Sequence, residues 1–141
     1  MWTDKKRWII IDIDGTIAEK WDRYPYDWHS VGEDDPKEII IKIIRASIDS
    51  FWAYPIVVSG RDESCRRQTE LWLQTHFAGE YTLYMRPEGD NRADDLIKKE
   101  IYDTHIRSEF DIICVFDDRD RVVKMWRDIW LICLQVASGD F

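Results

Sequence analysis

At 141 residues, 45% of them hydrophobic and 34% charged, the chain suffices for one domain with an ordinary buried core and is too apolar to be disordered. Its formal charge of −8 argues against a protein whose main task is gripping long nucleic acid, which needs clustered positive charge, and suits a carboxylate-rich, cation-binding site. Charges such as Lys42 and Arg45 break the longest apolar runs, so no membrane span is expected. The apolar stretch Trp8 to Ile11 is too short for a secretory leader, and a single cytoplasmic domain over residues 1–141 is the expectation.

Trp8 to Ile11 is a β-branched run without polar alternation, which predicts a parallel strand covered on both faces. The stretch from Ala18 to Asp35 is irregular and holds Trp21, Tyr24, Tyr26 and Trp28; loops of that length are usually functional or packed on their own side chains. Asp35, Pro36 and Glu38 follow in the order of an N-cap, a first helical residue and a capping-box acid, predicting a helix to about Trp52. The isoleucines at 39, 40, 43, 44 and 48 predict that this helix is well buried. Pro55 to Ser59 predicts a strand, Asp62 to Phe77 a helix, Tyr81 to Met85 a strand and Ala93 to about Ile106 a helix. Asp111 to Phe116, Arg119 to Ile129 and Ile132 to Val136 complete a strand, helix and strand. This alternation predicts an α/β fold, a Rossmann-like three-layer sandwich with a central parallel sheet. Trp8, Trp52, Trp72 and Trp126 lie inside elements, where core packing is the default.

Cys65, Cys114 and Cys133 are odd in number and far apart, and His29, His76 and His105 have no second ligand one helical turn away. Neither a disulfide nor a nitrogen-ligated metal is expected. The chemistry is instead expected beyond the carboxyl ends of the strands, where parallel sheets bind ligands. The first predicted strand ends in Asp12-Ile13-Asp14-Gly15-Thr16, the second in Ser59-Gly60-Arg61 and the fourth in Asp117-Asp118-Arg119-Asp120. Residues two apart on extended chain share a side, so Asp12 and Asp14 can converge, and Gly15 permits a tight turn. Adding Asp117 concentrates like charge, which a hard divalent cation with oxygen ligands would offset.

Asp-x-Asp-Gly-Thr, a later serine at a strand end, a helical lysine and a final Asp-Asp resemble, in order, the four motifs of the haloacid-dehalogenase (HAD) phosphatase superfamily. A closer likeness is to the 3′-phosphatase domains of phage polynucleotide kinase-phosphatases. It is carried by Asp12 to Ala18 with Arg23, by Val58 to Arg61, and by Gly89 to Arg92 with Asp94, Asp95 and Lys98. Asp117 to Arg119 and the segment Gln135-Val136-Ala137-Ser138-Gly139-Asp140-Phe141 extend it over nearly the whole chain. The resemblance implies Asp12 as nucleophile and Asp14 as the acid that protonates the leaving oxygen and then activates water. It implies Mg²⁺ held by Asp12, the Asp14 carbonyl and the Asp117–Asp118 pair, with Asp117 preferred as direct ligand. Ser59, Gly60, Lys98, Thr16, Arg61 and Arg23 would surround the phosphoryl group, and Arg92 would touch substrate from its loop.

The implied substrate is a 3′-phosphorylated DNA or RNA end, with no ATP, since no Gly-x-x-x-x-Gly-Lys-[Ser/Thr] loop is present. The resemblance suggests a free-standing phosphatase of phage or viral origin. The short spacings after Asp14 and Arg61 leave room only for a short flap, where small-molecule relatives commonly carry a sizeable cap. A nucleotide or sugar phosphate is the alternative substrate, and a non-catalytic binding module retaining the fold is the alternative class.

Overall fold

The computed structural model describes residues 6–19 and 27–141. In chain order the elements are β1 (Arg7–Ile11), β2 (Ala18–Glu19), β3 (Asp35–Pro36), α1 (Glu38–Phe51), β4 (Ala53–Asp62), α2 (Arg66–His76), β5 (Thr82–Arg86), α3 (Asp94–Ile101), β6 (Asp111–Asp117), α4 (Asp120–Asp128) and β7 (Cys133–Gln135). Single 3₁₀ segments precede β3 and α2, and α3 runs on through a π turn over Tyr102–Ile106. β1, β4, β5, β6 and β7 form one parallel sheet in the order β5-β4-β1-β6-β7, while β2 and β3 pair antiparallel apart from it.

The isoleucine run in β1 explains its central place. Ile9 and Ile11 face one layer, packed with Ile41 and Ile44 of α1 and Trp72 and Leu73 of α2. Ile10 faces the other, with Ile97 and Ile101 of α3 and Val122 and Trp126 of α4. Period-2 alternation within an all-apolar run thus feeds two cores, which is why the strand shows no polar face. The chain leaves β1 toward β4 on one side and later returns to β6 on the other, so the strand order reverses at β1. A crevice opens at such a switch point, outside the carboxyl ends of β1, β4 and β6.

Three sequence expectations are corrected. Asp35 and Pro36 do not start α1: they pair with Glu19 and Ala18, and Lys37 occupies the N-cap without a side-chain cap bond. The Lys37 amide donates to the Ile17 carbonyl at 2.8 Å, so the hairpin has already claimed the backbone that a capping box would use. α1 is also less buried than its isoleucines imply. Ile41 and Ile44 turn inward and Ile48 packs against the core, whereas Ile39 and Ile43 are exposed, because consecutive isoleucines cover more of the helix circumference than one sheet face can bury. Trp52 is 87% exposed, since the chain turns left-handed there (φ 54°) to end α1 and throws the indole outward.

Candidate active site

The turn after β1 builds the pocket floor. The Asp12 amide donates to the Phe116 carbonyl at 3.0 Å, holding Asp12 beside the end of β6, and the Thr16, Ile17 and Ala18 amides all converge on the Ile13 carbonyl. Gly15 sits at φ +83°, and a Cβ there would lie 2.0 Å from Asp118 Oδ2, so both the backbone conformation and the neighbouring carboxylate require glycine. Thr16 is fully buried and its hydroxyl donates to Asp12 Oδ2 at 2.7 Å. It orients Asp12 from within the turn and does not line the pocket.

The other oxygen of Asp12 accepts from Lys98 Nζ at 2.7 Å, and the same ammonium donates to Asp117 Oδ2 at 2.9 Å. Lys98 reaches this point from the buried face of α3, which Ile97 and Ile101 seat on the sheet. Asp117 Oδ2 also accepts from the Trp126 indole N–H at 3.2 Å, and Oδ1 accepts from the Asp118 amide at 2.8 Å. Asp12, Asp117 and Asp118 each offer an oxygen within 4.8 Å of one another, and all three are buried. Among the described residues, Lys98 is the ammonium bonded to two of these three carboxylates. Burial, reinforced by Asp117 and Asp118, raises the Asp12 carboxyl well above its ordinary value despite Lys98. For Lys98 burial works the other way, yet Asp117 and Asp12 outweigh it and keep the amine protonated far into the alkaline range.

Asp14 points away from that cluster's lysine and onto Arg61. The Arg61 Nε lies 3.2 Å from both Asp14 oxygens, and Nη2 donates to Asp14 Oδ1 at 2.8 Å. Nη2 also donates to Asp34 Oδ2 at 2.8 Å, and Nη1 to Thr69 Oγ1 at 3.3 Å. Arg61 is fully buried, and the fork geometry of a guanidinium fixes the carboxylate it grips. Asp34 is itself seated by the Trp72 indole, which donates to its carbonyl at 2.7 Å. Ser59 is buried behind this group, its hydroxyl accepting the Arg61 amide at 3.1 Å.

A second charged group forms one wall. Arg86 is 5% exposed and donates to the carbonyls of Gly60, Asp90 and Arg92 and to the Asp94 carboxylate. Arg119 donates to the other Asp94 oxygen at 2.5 Å. A Cβ on Gly60 would come within 2.8 Å of Asp94 Oδ1, so glycine lets β4 approach this network. The pocket enclosed between floor and wall is lined by Asp12, Asp14, Gly60, Lys98, Asp117 and Asp118, together with Trp28, Arg86, Asp94, Arg119, Val122 and Phe141.

Comparison with known proteins identifies the family. The family model for the phosphatase domain of the polynucleotide kinase PNKP matches residues 6–141. The chain belongs to the PNKP phosphatase-domain family. A protein of Autographa californica nuclear polyhedrosis virus, named for a bifunctional polynucleotide kinase/RNA ligase, is 34% identical over 125 residues, 87% of this chain and 18% of the relative. Two solved structures of a Pnkp1/Rnl/Hen1 complex, one titled an RNA repair complex, contain chains 31% identical to this one, with TM-scores of 0.92 and 0.91. The match covers 99% of this chain in both and 45% and 48% of those chains, so the chain spans about half their length. A class C acid phosphatase of Bacillus anthracis, 17% identical with a TM-score of 0.57 over 98% of this chain and 70% of that one, shares the fold.

Within this HAD-type phosphatase domain the sequence-predicted residues divide. Asp12, Asp14, Gly60, Lys98, Asp117 and Asp118 line one pocket. Thr16, Ser59 and Arg61 are buried beside it, where Thr16 bonds Asp12, Ser59 accepts the Arg61 amide and Arg61 grips Asp14. Arg92 lies apart from it: its guanidinium pairs with Asp90 and Glu100 and lines a separate depression with Tyr84 and His105, while its carbonyl accepts from Arg86. Arg23 lies outside the described residues. The sequence singles out neither Arg86 nor Asp34. Both are single charges in loops or at strand ends, with no spacing signal that separates them from solvated neighbours.

Proposed function

We propose that this PNKP-family domain is a Mg²⁺-dependent phosphatase that removes terminal 3′-phosphates from DNA or RNA ends through an aspartyl phosphate at Asp12. The observation that carries this reading is the setting of Asp12: it is buried at the pocket floor, with Thr16 on one oxygen and Lys98 on the other. Those two contacts fix the direction of attack, which supplies much of the advantage of an enzyme nucleophile.

An Asp12 oxygen would attack phosphorus as the bond to the 3′-oxygen of the nucleic acid breaks, and Asp14 would give that oxygen its proton. Water would then attack the phosphorus of the aspartyl phosphate, passing its proton to Asp14. The bond to Asp12 breaks and inorganic phosphate leaves with Asp12 and Asp14 restored. Arg61 holds Asp14 where one group can serve both steps. Lys98 lies where it can stabilise charge on the transferring group.

The buried donor set of Asp12, Asp117 and Asp118, all hard oxygens facing one lysine, fits Mg²⁺. Asp117 accepts from Lys98, the Trp126 indole and the Asp118 amide, and either member of the Asp117–Asp118 pair would hold the ion beside Asp12 and the Asp14 carbonyl, with the other supporting it. When bound, the ion supplies positive charge against the phosphoryl oxygens.

The test is a panel of 3′-phosphorylated DNA and RNA oligonucleotides, 5′-phosphorylated oligonucleotides and free nucleotides, each with and without Mg²⁺. Preference for 3′-phosphorylated ends, lost with the ion, is expected. A higher kcat/KM for free nucleotides or for 5′-phosphates overturns the substrate class and leaves the aspartyl chemistry standing.

A further inference from the structure

The segment Gln135 to Phe141, set apart in the sequence but given no role so far, is fastened to the strand end that carries Asp117 and Asp118. Gln135 Nε2 donates to the Asp118 carbonyl at 2.9 Å, and the Asp120 amide donates to the Gly139 carbonyl at 2.7 Å. Gly139 is required sterically: a Cβ there would lie 2.0 Å from the Asp118 carbonyl oxygen and 2.6 Å from Arg119 Cα. The backbone thus lies directly on the Asp118–Arg119 peptide and delivers Phe141 to the lining of the pocket that holds Asp12 and Lys98. The Phe141 ring sits 4.6 Å from the Arg119 guanidinium carbon, a cation–π contact, and Asp94 holds Arg119 from the opposite end at 2.5 Å.

This anchoring does not serve the core, because Phe141 remains 57% exposed. A large ring held by an immobilised guanidinium at the edge of a charged pocket is a platform, and nucleobases stack on such rings with little regard to sequence because every base has a π face. A 3′-phosphate and its base are joined through a single sugar, so a ring on the wall of the phosphate pocket is within reach of that base. We propose that Phe141, backed by Arg119, stacks on the terminal nucleobase of a 3′-phosphorylated strand and is a specificity-determining residue for nucleotide ends. The inference rests on the 3′-end reading above and assigns it a recognition element.

The experiment measures kcat and KM with Mg²⁺ for two 3′-phosphorylated oligonucleotides that differ only in whether the last nucleotide carries a base or is abasic. Wild type is expected to favour the base-bearing end by about tenfold, expressed in KM, the scale of one base–aromatic stack. Phe141→Ala should lose most of that preference, and Phe141→Trp should keep it. Phe141→Leu retains apolar bulk without a π face and should behave like alanine; thermal melting of each variant shows that it is folded. If wild type dephosphorylates both ends equally well, or if folded Phe141→Ala and Phe141→Leu retain the wild-type preference, the platform is wrong and the 3′-end reading survives. If wild type releases phosphate from neither oligonucleotide yet hydrolyses other phosphomonoesters, the 3′-end reading itself fails and the platform with it.

Discussion

Floor and wall of the pocket are built from similar residues with opposite electrostatic balance. On the floor Asp12, Asp117 and Asp118 face Lys98, while on the wall Arg86 and Arg119 share Asp94. Among the described residues, one ammonium, that of Lys98, bonds two of the floor carboxylates, while two guanidinium groups bond the single Asp94 carboxylate of the wall. A buried cluster with too little counter-charge destabilises the fold unless a ligand completes it, so the two halves call for different ligands, a cation below and an anion beside it. That division is what a phosphoryl-transfer site requires.

The sharpest way to break the comparison is to remove a charge from each side. Asp12→Asn should lower kcat/KM by about a thousandfold or more, because the proposed nucleophile is removed while the shape is kept. It should also raise the cation-free stability by on the order of 1 kcal/mol by relieving like charge, so activity assays and chemical denaturation of one variant move in opposite directions. A destabilised Asp12→Asn would contradict the reading of the floor as under-neutralised. Lys98→Met removes the ammonium that bonds Asp12 and Asp117. A loss of about 3–5 kcal/mol is expected, the usual cost of breaking a buried pair, with a roughly hundredfold drop in kcat. Added Mg²⁺ should restore part of the stability and little of the rate.

On the wall, Asp94→Asn is expected to cost about 10- to 100-fold in kcat/KM, since an amide cannot accept from both Arg86 and Arg119. Unlike the floor variants, it should leave the Mg²⁺-induced rise in melting temperature intact, which calorimetry with and without the ion would check. A pH series without divalent cations separates the halves again. Asp12 is raised, so between the ordinary aspartate range and its folded value the native state holds more proton than the unfolded chain. Stability must therefore fall as pH rises through that window, with the contribution fully present below it. Asp62 and Glu63 work in the other direction, being lowered in the fold: for Asp62 burial opposes the Ser64 and Gly89 amide bonds that win, and for Glu63 the Arg66 pair dominates. The measurable quantity is the difference between wild type and Asp12→Asn, which should narrow as pH falls. The smallest effect is expected of Arg92→Ala, with kcat/KM within about twofold of wild type and an unchanged melting midpoint, because its guanidinium and Glu100 are exposed and neither Glu100 nor Asp90 lines the pocket.

Much of the site was legible because its parts lie at strand ends. Asp12, Asp14 and the Asp117–Asp118 pair stand at strand ends that a parallel sheet brings together, Lys98 was singled out only by the family resemblance, and the structure lines one pocket with all of them. The partners of Arg61 and Arg86 were not legible, for a common reason. An arginine's long side chain ends far from its backbone, so whether it reaches a carboxylate or solvent depends on packing that no local pattern encodes. Asp34 was missed because its partners, Arg61 and Trp72, come from other parts of the chain.

The amino-acid sequence by itself determined the alternation of elements, the two-sided burial of β1 and the strand ends at which chemistry gathers, because apolar periodicity and turn chemistry act over a few residues. Only the tertiary structure decided that Thr16, Ser59 and Arg61 are buried beside the pocket, that Asp94 serves two arginines and that Gly139 lays Phe141 against Arg119. Each of those facts is a long-range contact, set by how close two backbones can approach and by which charges burial leaves without solvent.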